Sequence, residues 1–235
     1  MTQSLLHQMT DNVEKIRQQM ARAAQEADRK PEDILLCAVC KTQPSDIVRA
    51  SASLPVDLFG ENRMQELVRH HKDGAFLDKP CHFIGHLQTN KVRRVVGLVS
   101  MIESVNSPRL LAAIASQAEK QGLVQDILFE INIGEEDSKI GASKEALWPM
   151  LDQAAALPSV RVRGLMAIPP AFDNSPASRR YFAMMRRLLE EAQSRFPQAA
   201  LDTLSMGMSG SFIAAIQEGA TLIRIGTAIY GERQQ

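Results

Sequence analysis

The sequence predicts an α/β chain folded as a single (β/α)8 barrel with an extra helix at its N-terminus. Eight short apolar runs recur at residues 34–40, 56–59, 82–85, 98–102, 126–133, 161–168, 201–205 and 221–225, and each but the last is followed by a helix-compatible stretch. Eight alternations exceed what an open doubly wound sheet usually holds. No GxGxxG follows the first run, which removes the main support for a nucleotide-binding sheet. The 235 residues, 45% of them hydrophobic, supply one sizeable core and are short for two domains, so residues 1–235 are read as one unit.

The opening helix, about residues 3–27, is marked by Leu6, Met9, Val13, Ile16 and Met20 at three-four spacing. The first strand is the apolar run Ile34 to Cys40, which ends at Lys41. Glu61, Asn62 and Arg63 follow strand two, Gly85-His86-Leu87-Gln88 follows strand three, and Glu103-Ser104 follows strand four. Asn132 and the turn Gly134 to Lys139 end strand five, and Met166 lies near the end of strand six. The Pro-, Asp-, Asn- and Ser-bearing stretch Pro169 to Pro176 reads as the next loop. Residues just past the strands of such a barrel gather at one face, where these folds do their chemistry. Strand-to-helix loops are polar in any case and supply helix caps, so each rim residue taken singly also has a structural reading.

Lys and Arg balance Asp and Glu at 27 each, which lacks the electrostatic footprint of a nucleic-acid or membrane-surface binder and leaves small ligands or proteins as partners. Cys37, Cys40 and Cys81 form no metal-like cluster with histidines in the sequence, and two of them fall in a strand, so buried reduced thiols and no metal are expected, as suits the cytoplasm. The chain does not open on a basic-then-apolar signal pattern, and no apolar stretch approaches the roughly 20 residues that span a bilayer.

A lysine at the mouth of a barrel is poorly placed to be ordinary surface charge. Desolvation exposes the neutral amine that forms Schiff bases with aldehydes, and the competing reading is a lysine snorkelling from a strand end. The last two loops add weight to the first. Ser205-Met206-Gly207-Met208-Ser209-Gly210-Ser211 precedes the helical Phe212 to Ile216, and Gly226-Thr227 precedes Ala228-Ile229-Tyr230. Small residues there let backbone amides approach an anion, as in the phosphate cup that barrels build after strands seven and eight. Helix capping alone would not require two such loops at adjacent positions. Arg224, between Ile223 and Ile225, must reach either into the barrel centre or outward to a helix partner, and the inward option sets a fixed cation beside the ligand.

A lysine, a phosphate cup and an inward arginine describe a pocket for a phosphorylated aldehyde such as pyridoxal 5′-phosphate (PLP). The chain resembles the pyridoxal phosphate homeostasis proteins, the YggS/PROSC family, whose PLP-binding barrel of fold type III is similar to the N-terminal domain of alanine racemase. The motifs that carry the resemblance are Ala38-Val39-Cys40-Lys41-Thr42, Phe59-Gly60-Glu61-Asn62-Arg63 with Gln65-Glu66, His82-Phe83-Ile84-Gly85-His86-Leu87-Gln88-Thr89-Asn90-Lys91, Asn132-Ile133-Gly134 with Lys139-Ile140-Gly141, Arg163-Gly164-Leu165-Met166, Leu204-Ser205-Met206-Gly207-Met208-Ser209 and Arg224-Ile225-Gly226-Thr227-Ala228-Ile229-Tyr230-Gly231. The resemblance implies that Lys41 forms the Schiff base, that Ser209, Gly226 and Thr227 hold the phosphate, that Arg224 faces the pyridine nitrogen, and that Asn62, Met166, Ser205 and Met206 line the ring or the cup.

Three positions depart from the family pattern: Cys40 where serine is usual, Gln43 where a second lysine is common, and Gly210-Ser211 where an acidic residue is typical at the second position. The physical argument leans against strong catalysis. An arginine opposite the ring nitrogen hardly gives up a proton, which leaves the ring a poorer electron sink. Alanine racemase draws a second base, a tyrosine, from an additional domain, and neither tyrosine of this chain, Tyr181 or Tyr230, is an obvious equivalent. The expected function is therefore a cytoplasmic carrier for PLP homeostasis, monomeric, that can deliver the cofactor to apoenzymes. A weak amino-acid racemase and a phosphate-binding barrel without covalent chemistry are the alternatives.

Overall fold

The computed structural model describes residues 3–134, 140–170 and 176–231. Strands β1 (Leu35–Val39), β2 (Leu58–Glu61), β3 (Cys81–Phe83), β4 (Met101–Val105), β5 (Gln125–Glu130), β6 (Val160–Met166), β7 (Thr203–Ser205) and β8 (Leu222–Ile225) are all parallel and close in chain order, β1 pairing with both β2 and β8. Helices α1 (Gln3–Gln25), α2 (Ser45–Ser51), α3 (Met64–Lys72), α4 (Pro108–Lys120), α5 (Lys144–Ala155), α6 (Pro176–Arg195), α7 (Phe212–Gln217) and α8 (Thr227–Tyr230) surround them. The barrel expected from the alternating runs is the observed fold. No described helix is long and apolar enough to cross a membrane. The turn expected at Gly134 to Lys139 and the loop at Pro169 to Pro176 fall partly outside the described residues, at 135–139 and 171–175.

Several boundaries differ from the sequence reading, each for a local reason. Helix α1 stops at Gln25 rather than 27 because Asp28 takes a left-handed φ of 53° and Arg29 N–H turns back onto the Ala24 carbonyl, closing the helix end. The segment between β3 and β4 forms a 3-10 helix, Thr89–Arg94, in place of an α-helix. Strand β2 extends to Glu61, and β4 lies three residues beyond the expected 98–102, so Glu61 and Glu103 are within strands rather than past them. A glutamate inside a strand looks like a strand end in sequence. Here both are fully buried, Glu103 with both oxygens hydrogen-bonded and Glu61, among the described residues, through its Oε1 alone.

Period-two alternation divides the strands into two buried layers. Leu36, Ala38, Phe59, Phe83, Ile102, Phe129, Leu165, Leu204 and Ile223 face the helices in one continuous apolar shell that also takes in Met9, Val13, Ile16 and Met20 of α1. The lumen holds two smaller apolar clusters, one of Cys37, Val39, Leu58 and Leu222 and the other of Met101, Leu128 and Met166. Helix α1 packs across α7 and α8, where Asn12 Nδ2 donates to the Ile229 carbonyl at 3.1 Å. That contact supports the last two loops from outside the barrel.

Candidate active site

Lys41 stands two residues past β1 on the same parity as the lumen-facing Cys37 and Val39, and Thr42 next to it has a φ of 67°. A β-branched residue in that region is strained by about 1–3 kcal/mol and needs the surroundings to hold it. Glu66 in the first turn of α3 does so, its Oε2 accepting the Thr42 N–H at 2.7 Å. The chain is thereby bent sharply just where Lys41 must enter the mouth.

Behind that turn, between the sheet and α3, the Cys40 thiol donates to Glu61 Oε1 at 3.0 Å and His70 Nδ1 meets the same oxygen at 2.7 Å. His70 Nε2 lies 3.0 Å from the Gln43 carbonyl, so the segment on both sides of Lys41 is tied to α3. Contrary to the sequence expectation, one cysteine thus does sit beside a histidine, and the three ligand-type atoms lie within 4.8 Å of one another. Those atoms are engaged with one another and serve as a buttress. Burial, followed by the charge of Glu61, pushes the Cys40 thiol well up, so it stays protonated and takes the place of a hydroxyl donor. The replacement of lysine by Gln43 leaves this anchor intact, because its backbone carbonyl makes the contact.

Arg224 resolves inward and is 4% exposed. Its Nη1 donates to Ser205 Oγ at 2.5 Å and its Nη2 to the Ala167 carbonyl at 3.1 Å, with Glu103 3.8 Å away. Glu103 in turn accepts from Ser205 Oγ and from His82 Nδ1, each at 2.6 Å. Burial works against the Glu103 charge, but the His82 hydrogen bond and charge, with Arg224 and Ser205, outweigh it and hold the carboxyl below its usual range. The result is a chain of polar groups, His82, Glu103, Ser205 and Arg224, crossing the lumen between the two apolar clusters.

The two last loops meet each other. Ser209 Oγ accepts the Ala228 N–H at 3.3 Å, and the Arg224 N–H donates to the Gly207 carbonyl at 3.0 Å. Gly207 has a φ of 93°, and a Cβ on it would come within 2.6 Å of the Ala215 Cβ, so this turn requires glycine. Ser211 closes the same loop by accepting the Met208 N–H at 3.2 Å, which accounts structurally for a serine where an acidic residue was expected.

A cavity of about 610 Å³ opens at this face, lined by Lys41, Asn62, Arg224, Ser209, Gly226 and Thr227 together with Val39, Ile84, His86 and Glu130. Six of the nine residues singled out in the sequence therefore share one cavity. The other three are fully buried beside or behind it: Ser205 anchors Arg224, Met166 packs in the lumen on Met101 and Leu128, and Met206 belongs to the outer shell. Two polar atoms of the lining are buried without a partner among the described residues, Asn62 Oδ1 and Glu130 Oε2. Sequence reasoning missed Glu130, His82 and the inward course of Glu103. The available signal was parity, since each sits two residues from a lumen-facing neighbour or opposite one.

The profile of the family described as "Alanine racemase, N-terminal domain" matches residues 6–234. A pyridoxal phosphate homeostasis protein of Aquifex aeolicus is 38% identical over 95% of this chain and 98% of its own length. Among solved structures, an unknown protein from Bifidobacterium adolescentis superposes with a TM-score of 0.88 at 30% identity, covering 97% of both chains. PipY of Synechococcus elongatus with PLP bound superposes at 0.80 and 32% identity, covering 91% of this chain and all of its own. A match of this extent, on a barrel with this mouth, shows that the chain belongs to the alanine racemase N-terminal domain family, in the branch of the pyridoxal phosphate homeostasis proteins.

Proposed function

We propose that the chain binds pyridoxal 5′-phosphate reversibly at the barrel mouth through Lys41 and serves as a carrier in cofactor homeostasis. The observation that carries this reading is the convergence of Lys41, Arg224 and the paired loops after β7 and β8 on one cavity. The donor set fits the group: an amine for the aldehyde, a buried guanidinium for a ring acceptor, and small residues for the phosphate. When bound, the cofactor supplies an aldehyde that condenses with a primary amine.

The residues of the chain do the rest. Glu66 and the Cys40–Glu61–His70 buttress orient the lysine segment. Ser209, Gly226 and Thr227 hold the phosphate, with Ser209 fixing the two loops together. Asn62 lines the ring side with an acceptor that lacks a partner among the described residues. Met166 and Ser205 support this wall from beneath, Met206 packs behind it in the outer shell, and Ser205 with the Ala167 carbonyl aims Arg224.

The same geometry argues for carriage over turnover. Arg224 is held by three groups and donates without surrendering a proton. Tyr230 directs its hydroxyl at Ser51 Oγ, 3.0 Å away, and neither it nor Tyr181 is among the described residues lining the cavity. Release to apoenzymes, a monomeric state and a cytoplasmic location complete the proposal. Borohydride reduction of the PLP-loaded protein followed by peptide mass mapping tests it: a reduced adduct on Lys41 is expected, and an adduct confined to other lysines would overturn the assignment. Incubation with alanine in heavy water separates the racemase reading, which requires Lys41-dependent deuterium at the α-carbon.

A further inference from the structure

Glu130 ends β5, and β5 stands opposite β1 in the closed barrel, so Glu130 and Lys41 line the cavity from facing walls. Alternation puts Glu130 on the lumen side above Leu128, with Met166 of β6 as its neighbour in register. Among the described lining residues it is the only carboxylate. It is 6% exposed and its Oε2 has no hydrogen-bond partner among the described residues, in contrast to Glu103 one layer below, whose two oxygens are both engaged. An unpartnered carboxyl oxygen in a protein interior calls for an explanation, and neither the packing nor the anchoring of Arg224 uses it.

Condensing an amine with an aldehyde forms one N–C bond and then breaks the C–O bond to release water. Both protons given up by the nitrogen leave in that water, so a proton must travel from nitrogen to oxygen in the addition step and again in dehydration, and hydrolysis needs the reverse. We propose that Glu130 carries this proton, directly or through one water, as the Schiff base at Lys41 forms and hydrolyses, and so sets how fast the aldehyde is loaded and released. The inference rests on the reading of the cavity as a PLP site. Burial, opposed by the charge of Arg224, pushes the Glu130 carboxyl from its ordinary 4.5 to about 7, which suits a group that takes and gives a proton near neutrality. Among the described residues, the titratable or charged groups that line the cavity with it are Arg224 from β8, Lys41 past β1 and His86 past β3; Glu103 of β4 lies 3.8 Å from Arg224, and β6 presents the uncharged Met166.

The test is stopped-flow absorbance of PLP binding and of release on dilution, for wild type, Glu130→Gln and Glu130→Asp, over a pH range bracketing about 7. Glu130→Gln is expected to slow both directions on the order of 100-fold and to remove the inflection near 7, with Glu130→Asp restoring it. Retention of pyridoxine 5′-phosphate, which lacks the aldehyde, should change less than about twofold, whereas a merely structural role would weaken it as well. Infrared spectra of the ligand-free protein supply an independent readout: a carboxyl C=O band that titrates near 7 and is missing in Glu130→Gln. Coincident rates and pH profiles in wild type and Glu130→Gln, or no such band, would overturn this role while leaving the PLP reading intact. Absence of any Schiff-base absorption in wild type would sink both.

Discussion

Between the strands and the helices the buried surface is dominated by side chains such as Phe59, Leu111, Phe129 and Phe182, whereas the lumen buries His82, Glu103, Ser205 and Arg224 in contact with one another. The shell gains its stability from area and shape, and any apolar residue of the right volume serves it nearly as well. The lumen has the opposite economy: taking Glu103 and Arg224 out of water costs several kcal/mol each and is tolerable only while each keeps its partners. What that cost secures is position, because a guanidinium held by Ser205, Ala167 and Glu103 has one place to point. The buttress of Cys40, Glu61 and His70 is a polar inclusion in the shell, and it sits directly behind Lys41.

This contrast can be broken most forcefully from the lumen side. Arg224→Met removes the cation from a buried carboxylate and should cost about 3–5 kcal/mol in denaturant unfolding. PLP retention in the folded fraction should fall with it. Leu111→Ala in the shell should cost about 2–5 kcal/mol by cavity formation, with PLP retention in the folded protein unchanged. Combining Leu111→Ala with Glu103→Gln should give additive losses within about 0.5 kcal/mol, and combining Glu103→Gln with Arg224→Met should not, since those two share one network. Additivity within the lumen pair would show that the network is not a unit.

The two glutamates of the lumen separate further by pH. Glu103 has its carboxyl lowered in the folded state, so its contribution is present above the ordinary 4.5 and is lost as pH falls through the lowered value. The stability gap between wild type and Glu103→Gln should therefore close in acid. Glu130 is the reverse case. Its charge costs nothing below 4.5, a growing amount between 4.5 and about 7, and about 3 kcal/mol above that, so Glu130→Gln should gain on wild type as pH rises. Cys40→Ser should have the smallest effect, under about 1 kcal/mol, because a hydroxyl can make the same donation to Glu61.

The two regions also differ in how far the amino-acid sequence reveals them. The shell follows from periodicity alone: Met9, Val13, Ile16 and Met20 are at three-four spacing and all bury against the barrel. Lys41 and the small-residue loops of the mouth are legible too, since a lysine ending an apolar run and two adjacent glycine-serine turns have few other reasons to exist. The lumen is not legible in this way. Glu103 looks like the end of a strand until His82 and Ser205, which are 21 and 102 residues away, are seen to satisfy it. Glu130 sits in a run of apolar residues without any motif, and its meaning comes from standing across a closed barrel from β1.

In the proposed function, Lys41 holds an aldehyde covalently at a mouth whose geometry the lumen fixes. Visible absorption of wild-type and Lys41→Ala protein, each mixed with PLP and then desalted, addresses it most directly. A retained Schiff-base band in wild type that is missing from Lys41→Ala is the expected result; a band of equal strength in both, or none in either, would contradict it.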